Sequence, residues 1–253
     1  MSETLWLVVP AAGQGRRMGA DRPKQYLELD GRPVLAHTLA RLHAAFPAAR
    51  LRLCLDPDDD RFEPAWVPFA EWRRVTGGAE RVDSVANALA AIADEADDDD
   101  LVLVHDVARP CVTVADLQRL RSALTEDPVG GLLAAPVADT MKRDDGAERV
   151  ASTEPRAGLW HALTPQGFRF GLLRRALSAA RELGVAVTDE ASAVEALGLA
   201  PRLVSGRRDN LKITHPEDLA LAGQILAAQR ACAAGRGGSS GQPERAPSGA
   251  TER

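Results

Sequence analysis

Short runs of consecutive hydrophobic residues recur along the chain, separated by segments in which hydrophobic residues return every three or four positions. Strands buried on both faces give continuous apolar runs, whereas helices packed on a sheet give the three-to-four spacing. The runs predict strands at 5–9, 51–55 and 101–104, and weaker strands at 131–135 and 202–204. Their alternation with helical segments predicts an α/β fold with a mostly parallel sheet flanked by helices.

Two helices are predicted between these strands, and a third after the last of them. Apolar residues at positions 82, 85, 86, 89 and 92 share one helical face, as do those at 117, 120 and 124. Thr113 and Asp116 give the second of these helices a capping-box pattern, with Asp in place of the usual Glu. A third helix begins near Thr214, where a Thr cap and an early Pro are followed by two acidic residues.

Two segments depart from this alternation. Polar and β-branched residues flank Asp144, Asp145 and Gly146, which predicts a β-hairpin arm, over about residues 139–163, that projects from the body of the protein. Such an arm commonly packs on a second subunit. Residues 235–253 contain almost no large apolar side chain and predict a disordered tail. Residues 1–234 therefore form a single predicted domain.

Composition narrows the class of protein. With 45% hydrophobic residues among 253 and a net charge of -5, the chain can bury a core but offers no generally basic surface for nucleic acid. No apolar run approaches the ~20 residues of a membrane span. Three well-separated cysteines and the lack of a basic leader before the first apolar run favour a cytoplasmic protein without disulfides.

The candidate chemistry begins with a glycine-rich loop at residues 10–19, directly after the first predicted strand. Small residues there let backbone N–H groups approach an anion. The loop lacks the Lys and Ser/Thr of a P-loop, and it has Met18 where a dinucleotide-binding loop has its third glycine. Arg16, Arg17 and Lys24 lie close in sequence and would repel one another without an anion between them. The loop therefore predicts a phosphate site, with an ordinary glycine turn as the alternative.

Seven blocks of sequence, read in order, resemble the 2-C-methyl-D-erythritol 4-phosphate cytidylyltransferase family. They are residues 10–18, 23–26, 104–110, 135–142, 159–166, 188–192 and 206–212. The resemblance spans about residues 5–225 and implies a Rossmann-like nucleotidyltransferase fold. It also implies coupling of CTP to methylerythritol 4-phosphate, with release of pyrophosphate, in the non-mevalonate pathway to isoprenoid precursors.

The resemblance also implies roles for individual residues. On the nucleotide side, Arg17 and Lys24 flank the α-phosphate. The loop around the triphosphate contains Ala11, Ala12 and Gly13. The cytidine-binding turn at residues 77–84 contains Gly78 and Ser84. Ala79 stands where the family more often has Asp, so the resemblance leaves the base contacts of this turn open.

On the acceptor side, the resemblance assigns Arg156 and Lys212 to positioning the polyol phosphate. Around its hydroxyl groups and phosphate it places Thr140, Thr164, Thr188 and Asp209. Cations suit the phosphate, and short polar side chains suit the alcohols. Because Thr140 and Arg156 fall in the predicted arm, we expect a homodimer in which each arm completes the neighbouring subunit's site.

Asp106 follows the strand at 101–104 and is the expected Mg²⁺ ligand, since Mg²⁺ bound to phosphates takes only one or two protein carboxylates. A helix cap or a partner for Arg109 is the alternative. His105 is expected to point to the opposite face and to be structural.

Two other functions stay open from the sequence. One is that of ribitol 5-phosphate cytidylyltransferase, a related enzyme. Arg156 and the block at 188–192 favour the methylerythritol 4-phosphate family over it. A nucleotide-binding regulator without catalysis is the other, although such a protein would be expected to have lost one of the cations Arg17, Lys24, Arg156 or Lys212.

Overall fold

The computed structural model describes residues 3–13 and 22–237, with side chains as far as residue 234. The strands are β1 (Leu5–Pro10), β2 (Glu28–Leu29), β3 (Arg32–Pro33), β4 (Arg50–Leu55), β5 (Trp72–Thr76), β6 (Leu101–Val104), β7 (Gly131–Pro136), β8 (Met141–Asp144), β9 (Val150–Glu154), β10 (Trp160–Arg169) and β11 (Arg202–Ser205). The helices are α1 (Val34–Ala45), α2 (Arg81–Ala90), α3 (Val114–Leu124), α4 (Phe170–Glu182), α5 (Glu190–Glu195) and α6 (Pro216–Gly237). Short 3-10 turns occur at Lys24–Tyr26 and Pro64–Trp66.

Seven strands form the central sheet, in the order β11-β7-β10-β6-β1-β4-β5. The pairs β1 with β4, β1 with β6, β4 with β5, and β7 with β11 are parallel. β10 is antiparallel to both of its neighbours, β6 and β7. The mostly parallel sheet and all five predicted strands are confirmed, whereas β5 and the central β10 were not predicted.

Alternate residues of β1 enter two different cores, as expected for a strand buried on both faces. Leu7 and Val9 pack in a cluster with leucines of α1 and α3. Trp6 and Val8 pack on the other face with residues of α2 and α4. Helices therefore cover both faces of the sheet.

The predicted hairpin is present as β8 and β9, an antiparallel pair separate from the central sheet. Its turn includes Gly146 and Glu148 with φ of 90° and 58°. The last part of the predicted arm, residues 160–163, instead begins β10 and so belongs to the central sheet.

The end of the chain is described as far as Gly237, where α6 ends. Residues 235–237, which composition assigned to the tail, are thus the last residues of this helix. The rest of the predicted tail, residues 238–253, lies outside the described residues. Within residues 3–13 and 22–237, no helix has the length and apolar character that a membrane span requires.

Candidate active site

A cavity of about 650 Å³ lies where the parallel strands β5, β4, β1 and β6 end. Open α/β sheets bind ligands at this carboxyl edge. Eight residues expected from the sequence line the cavity: Ala11, Ala12, Gly13, Lys24, Gly78, Ser84, Asp106 and Lys212. Residues that are far apart in the sequence, from Ala11 to Lys212, thus lie together in one concave site at the carboxyl ends of these strands.

Backbone and side-chain hydrogen bonds join the segments around the glycine-rich loop to their neighbours. The N–H of Ala11 donates to the carbonyl of Cys54 at 2.8 Å, and the buried Gln25 amide donates to the carbonyl of Ala11 at 2.7 Å. The ammonium of Lys24 donates to the carbonyl of Ile213 at 3.2 Å. Residues 14–21, which include Arg17 and the remainder of the glycine-rich loop, lie outside the described residues.

The turn between β5 and α2 packs directly on the segment after β1. A Cβ added to Gly77 would lie 2.2 Å from the Cβ of Ala12, so only glycine allows this approach. The buried hydroxyl of Ser84 accepts from the N–H of Gly78 at 2.9 Å and donates to the carbonyl of Glu80 at 3.3 Å. Ser84 therefore shapes the turn whose backbone faces the cavity.

Asp106 is the centre of a cluster of charges. Its Oδ1 accepts from Arg81 Nε at 2.7 Å, and its Oδ2 lies 2.7 Å from Lys212 Nζ and 3.7 Å from Arg109 Nε. Burial alone would raise the pKa of Asp106, but the charges of Arg81 and Lys212 outweigh burial and hold that pKa below its ordinary range. Asp106 is thus a carboxylate held ionised by cations.

Arg81 also binds a second buried carboxylate. Its Nη1 and Nη2 donate to Oε1 and Oε2 of Glu190 at 2.6 and 3.0 Å. Burial raises the pKa of Glu190, although the positive charge of Arg81 acts to lower it. Sequence reasoning assigned no role to Arg81 or Glu190, although both lie within segments that it singled out; neither spacing nor composition signals a pair so far apart in the chain.

Behind Asp106 lies a buried polar layer. The hydroxyl of Thr164 accepts from the N–H of Asp106 at 3.1 Å and lies 3.0 Å from His105 Nδ1. Nε2 of His105 lies 3.2 Å from the carbonyl of Arg109. As the sequence predicts, His105 has structural partners, and Thr164 shares this layer.

Comparison with known proteins identifies the family. The family profile of 2-C-methyl-D-erythritol 4-phosphate cytidylyltransferase (IspD) matches residues 5–228. This chain belongs to that family. The enzyme of this name from Chromohalobacter salexigens is 74% identical over 223 residues, which are 88% of this chain and 90% of the relative. The one from Dechloromonas aromatica is 52% identical over 233 residues, covering 89% and 98%.

Solved structures of IspD proteins have the same fold. The cytidylyltransferase of Francisella tularensis superposes with a TM-score of 0.76 at 33% identity, and the match covers 88% of this chain and 100% of that chain. The enzyme of Thermus thermophilus gives a TM-score of 0.73 at 35% identity, covering 90% and 100%. The nucleotidyltransferase fold expected from the resemblance is thereby confirmed.

Five residues that the IspD resemblance assigns to the acceptor do not line the cavity of their own chain: Thr140, Arg156, Thr164, Thr188 and Asp209. Thr140 and Arg156 are exposed on or beside the hairpin, and the Arg156 guanidinium donates to the carbonyl of Ala138. The carboxylate of Asp209 accepts from Arg207 and from Gln229. Thr188 is exposed just before α5. The roles assigned to these residues stay predictions.

Proposed function

We propose that this chain transfers the cytidylyl group of CTP to 2-C-methyl-D-erythritol 4-phosphate. The products are 4-diphosphocytidyl-2-C-methyl-D-erythritol and pyrophosphate, and the reaction supplies isoprenoid precursors. One observation carries the proposal beyond family membership: Lys24 and Lys212, from opposite ends of the chain, both line the cavity at the carboxyl edge of the sheet. Two polyanionic substrates need fixed positive charge where they meet.

The chemistry asks for little besides charge and position. The acceptor's phosphate oxygen attacks the α-phosphorus of CTP, a new P–O bond forms, and pyrophosphate leaves. A phosphate monoester has a second pKa near ~6, so its nucleophilic oxygen is already ionised at neutral pH. No general base is required. The residues around the reacting atoms therefore act by positioning and by electrostatic stabilisation.

The cavity supplies these functions through named groups. Lys24, which lines the cavity with Ala11, Ala12 and Gly13, would stabilise the crowded α-phosphorus, a role it would share with Arg17. Lys212, which lines the same cavity, would hold the acceptor phosphate. Losing one such charged contact raises the barrier by ~3–4 kcal/mol, by analogy with oxyanion-hole donors.

We propose Mg²⁺ as the counter-ion of the triphosphate. Within the described residues there is no cluster of three or more side chains able to hold a metal by themselves. A single carboxylate, Asp106, fits an ion that takes its other ligands from phosphates, because each of its oxygens has a second lone pair and can keep its contact with Arg81 or Lys212. Bound there, Mg²⁺ would neutralise charge on the phosphates.

Homodimerisation through the arm is part of the proposal. Thr140 and Arg156 belong to the acceptor site by resemblance, yet they do not line the cavity of their own chain. The hairpin also exposes Val150, which is 63% accessible, and Trp160 at the base of the arm is 38% accessible. These observations favour an arm that reaches a second subunit.

The unpaired thiols of Cys54, Cys111 and Cys232 favour a cytoplasmic location.

Product analysis tests the proposal. With CTP, Mg²⁺ and methylerythritol 4-phosphate, phosphorus NMR should reveal the two coupled signals of a diphosphate diester together with pyrophosphate. Omission of the acceptor should leave CTP intact. Pyrophosphate released without the acceptor, or no diester with it, would reject the proposed reaction.

A further inference from the structure

We propose that Arg81 is a positioning residue, clamped by Glu190, that fixes Asp106 and through Asp106 the ammonium of Lys212. The inference deepens the proposed function, because it rests on Lys212 acting in the transfer reaction. Arg81 and Glu190 carry no role in the resemblance, and the geometry alone points to them.

The four side chains form a continuous line of alternating charge. Glu190 binds both terminal nitrogens of Arg81, at 2.6 and 3.0 Å, so the guanidinium plane is fixed on one side. The remaining Nε of Arg81 donates to Oδ1 of Asp106 at 2.7 Å. The other oxygen of Asp106 holds Lys212 Nζ at 2.7 Å. Each group is therefore placed by the one before it.

Burial makes this line rigid. The side chains of Glu190 and Asp106 are only 2% and 8% exposed, and that of Arg81 is 26% exposed, whereas Lys212 at its end is 42% exposed. Two buried carboxylates need cations, because an uncompensated buried charge is strongly destabilising. Arg81 meets both at once, so another rotamer would break its contact with at least one of them. Lys212, the most exposed of the four, is the member that lines the cavity.

Glu190 itself is anchored to the central sheet. It is the first residue of α5, whose N-terminus binds the side chain of Gln166 on β10. Gln166 accepts from the N–H of Ala191 and donates to the carboxylate of the capping residue Asp189, both at 2.8 Å. The clamp on Arg81 is thus fixed to the sheet and does not depend on a loose loop.

The clamp joins the two halves of the site. Arg81 is the first residue of α2, within the segment 77–84 that the resemblance assigns to the nucleotide, while Glu190 follows Thr188 of the acceptor block by two positions. Lysine in place of Arg81 would keep the charge but could not bind Glu190 in a bidentate manner and Asp106 at the same time. The proposal therefore requires the fork of arginine as well as its charge.

A double-mutant cycle on the full-length protein tests this coupling. Arg81→Lys should lower kcat at least about tenfold in the wild-type background, and less than about threefold in a Lys212→Ala background. Equal losses in both backgrounds, or no loss in the first, would overturn the proposal. KM for CTP should change far less than kcat in Arg81→Lys, whereas general damage to the nucleotide turn would raise KM.

Glu190→Gln provides the second arm of the test, with the exposed Glu195→Gln of the same helix as its matched control. We expect kcat to fall in Glu190→Gln and to be unchanged in Glu195→Gln. A Glu190→Gln protein that folds and keeps wild-type kcat would contradict the clamp. If Glu190→Gln does not fold, the double-mutant cycle of Arg81→Lys and Lys212→Ala tests the clamp. The wild-type and Lys212→Ala assays isolate the proposed function: no turnover by the wild type rejects that function, and full turnover by Lys212→Ala rejects the role of Lys212.

Discussion

The ammonium of Lys24 lies 3.2 Å from the carbonyl oxygen of Ile213, so the segment after the first strand touches the segment that precedes the last helix. Ile213 is adjacent to Lys212, whose side chain lines the same cavity. This contact joins the two segments that bring Lys24 and Lys212 to one cavity, the proposed meeting place of two phosphates. Each of the two charges should therefore be needed for turnover.

Lys24→Ala is expected to lower kcat by two orders of magnitude or more, about 3–4 kcal/mol in the barrier, because the lost charge matches the transition state better than the ground state. KM for CTP should rise far less. Steady-state pyrophosphate release measures both constants. Arg230→Ala, an exposed change on α6, is the control and should leave both unchanged. A Lys24→Ala enzyme with raised KM and normal kcat would remove the assigned role.

Gly77→Ala is expected to raise KM for CTP and to lower stability. The added methyl would lie 2.2 Å from Ala12 Cβ and 3.2 Å from the carbonyl oxygen of Leu55, so one of the two nucleotide-facing segments must shift. Overpacking of this kind costs about 1–3 kcal/mol. Gly223→Ala on α6, where the nearest atom would lie at 3.4 Å, is the matched control and should not reduce stability. Thermal melts and CTP kinetics measure both effects. A Gly77→Ala protein with the melting temperature and the KM of the wild type would refute the close approach.

Mixing two inactive variants tests the shared site. If Arg156 serves the neighbouring subunit, a heterodimer of Arg156→Ala and Lys24→Ala chains has one site with both lesions and one with neither. Random exchange of equal amounts should then restore about a quarter of wild-type activity, because about half of the dimers hold one intact site of two. Subunit exchange that is demonstrated by a label, without recovered pyrophosphate release, would reject the shared site.

His105 should make the fold sensitive to mild acid. Burial lowers the pKa of His105 to about 4, so the folded protein keeps it neutral while the unfolded chain takes up a proton below about pH 6.5. Stability is therefore lost as pH falls through this window, by about 2 kcal/mol between pH 7 and pH 5.

Urea unfolding of His105→Gln and wild type at pH 7 and pH 5 measures this contribution. The variant should lose about 2 kcal/mol less than the wild type over that interval, whatever its stability at pH 7. The exposed His161→Gln is the matched control for removing a histidine. Parallel losses in wild type and His105→Gln would mean that His105 is protonated alike in both states.

The strands of the central sheet could be predicted from the sequence where they contain an apolar run, whereas β5 and β10 could not. β5 has the sequence Trp-Arg-Arg-Val-Thr and is an edge strand with one buried residue, so it has no apolar run. β10 lies in the middle of the sheet but contains Pro165, which cannot donate to a ladder. A register shift between Ala162 and Gln166 accommodates this proline. Local patterns do not reveal a bulge of this kind.

Asp106 could be predicted from its position directly after a predicted strand, whereas Ala11 and Gly78 were assigned by the resemblance; all three line the cavity. Partnerships across the chain could not be predicted, because the clamp of Glu190 on Arg81 depends on the placement of α5 against the sheet. Asp106 illustrates the difference: the sequence offers Mg²⁺ and Arg109 as partners, and the structure adds Arg81 and Lys212 at 2.7 Å. Arg17 lies outside the described residues, so its role stays a prediction.

The most direct measurement of the central claim is pyrophosphate release with CTP and Mg²⁺ on two acceptors, methylerythritol 4-phosphate and ribitol 5-phosphate, in wild type and Lys24→Ala. The account predicts release by the wild type with the first acceptor, a kcat/KM at least about a hundredfold lower with the second, and a loss of two orders of magnitude or more in Lys24→Ala. Equal or greater kcat/KM with ribitol 5-phosphate, or full activity in Lys24→Ala, would contradict it.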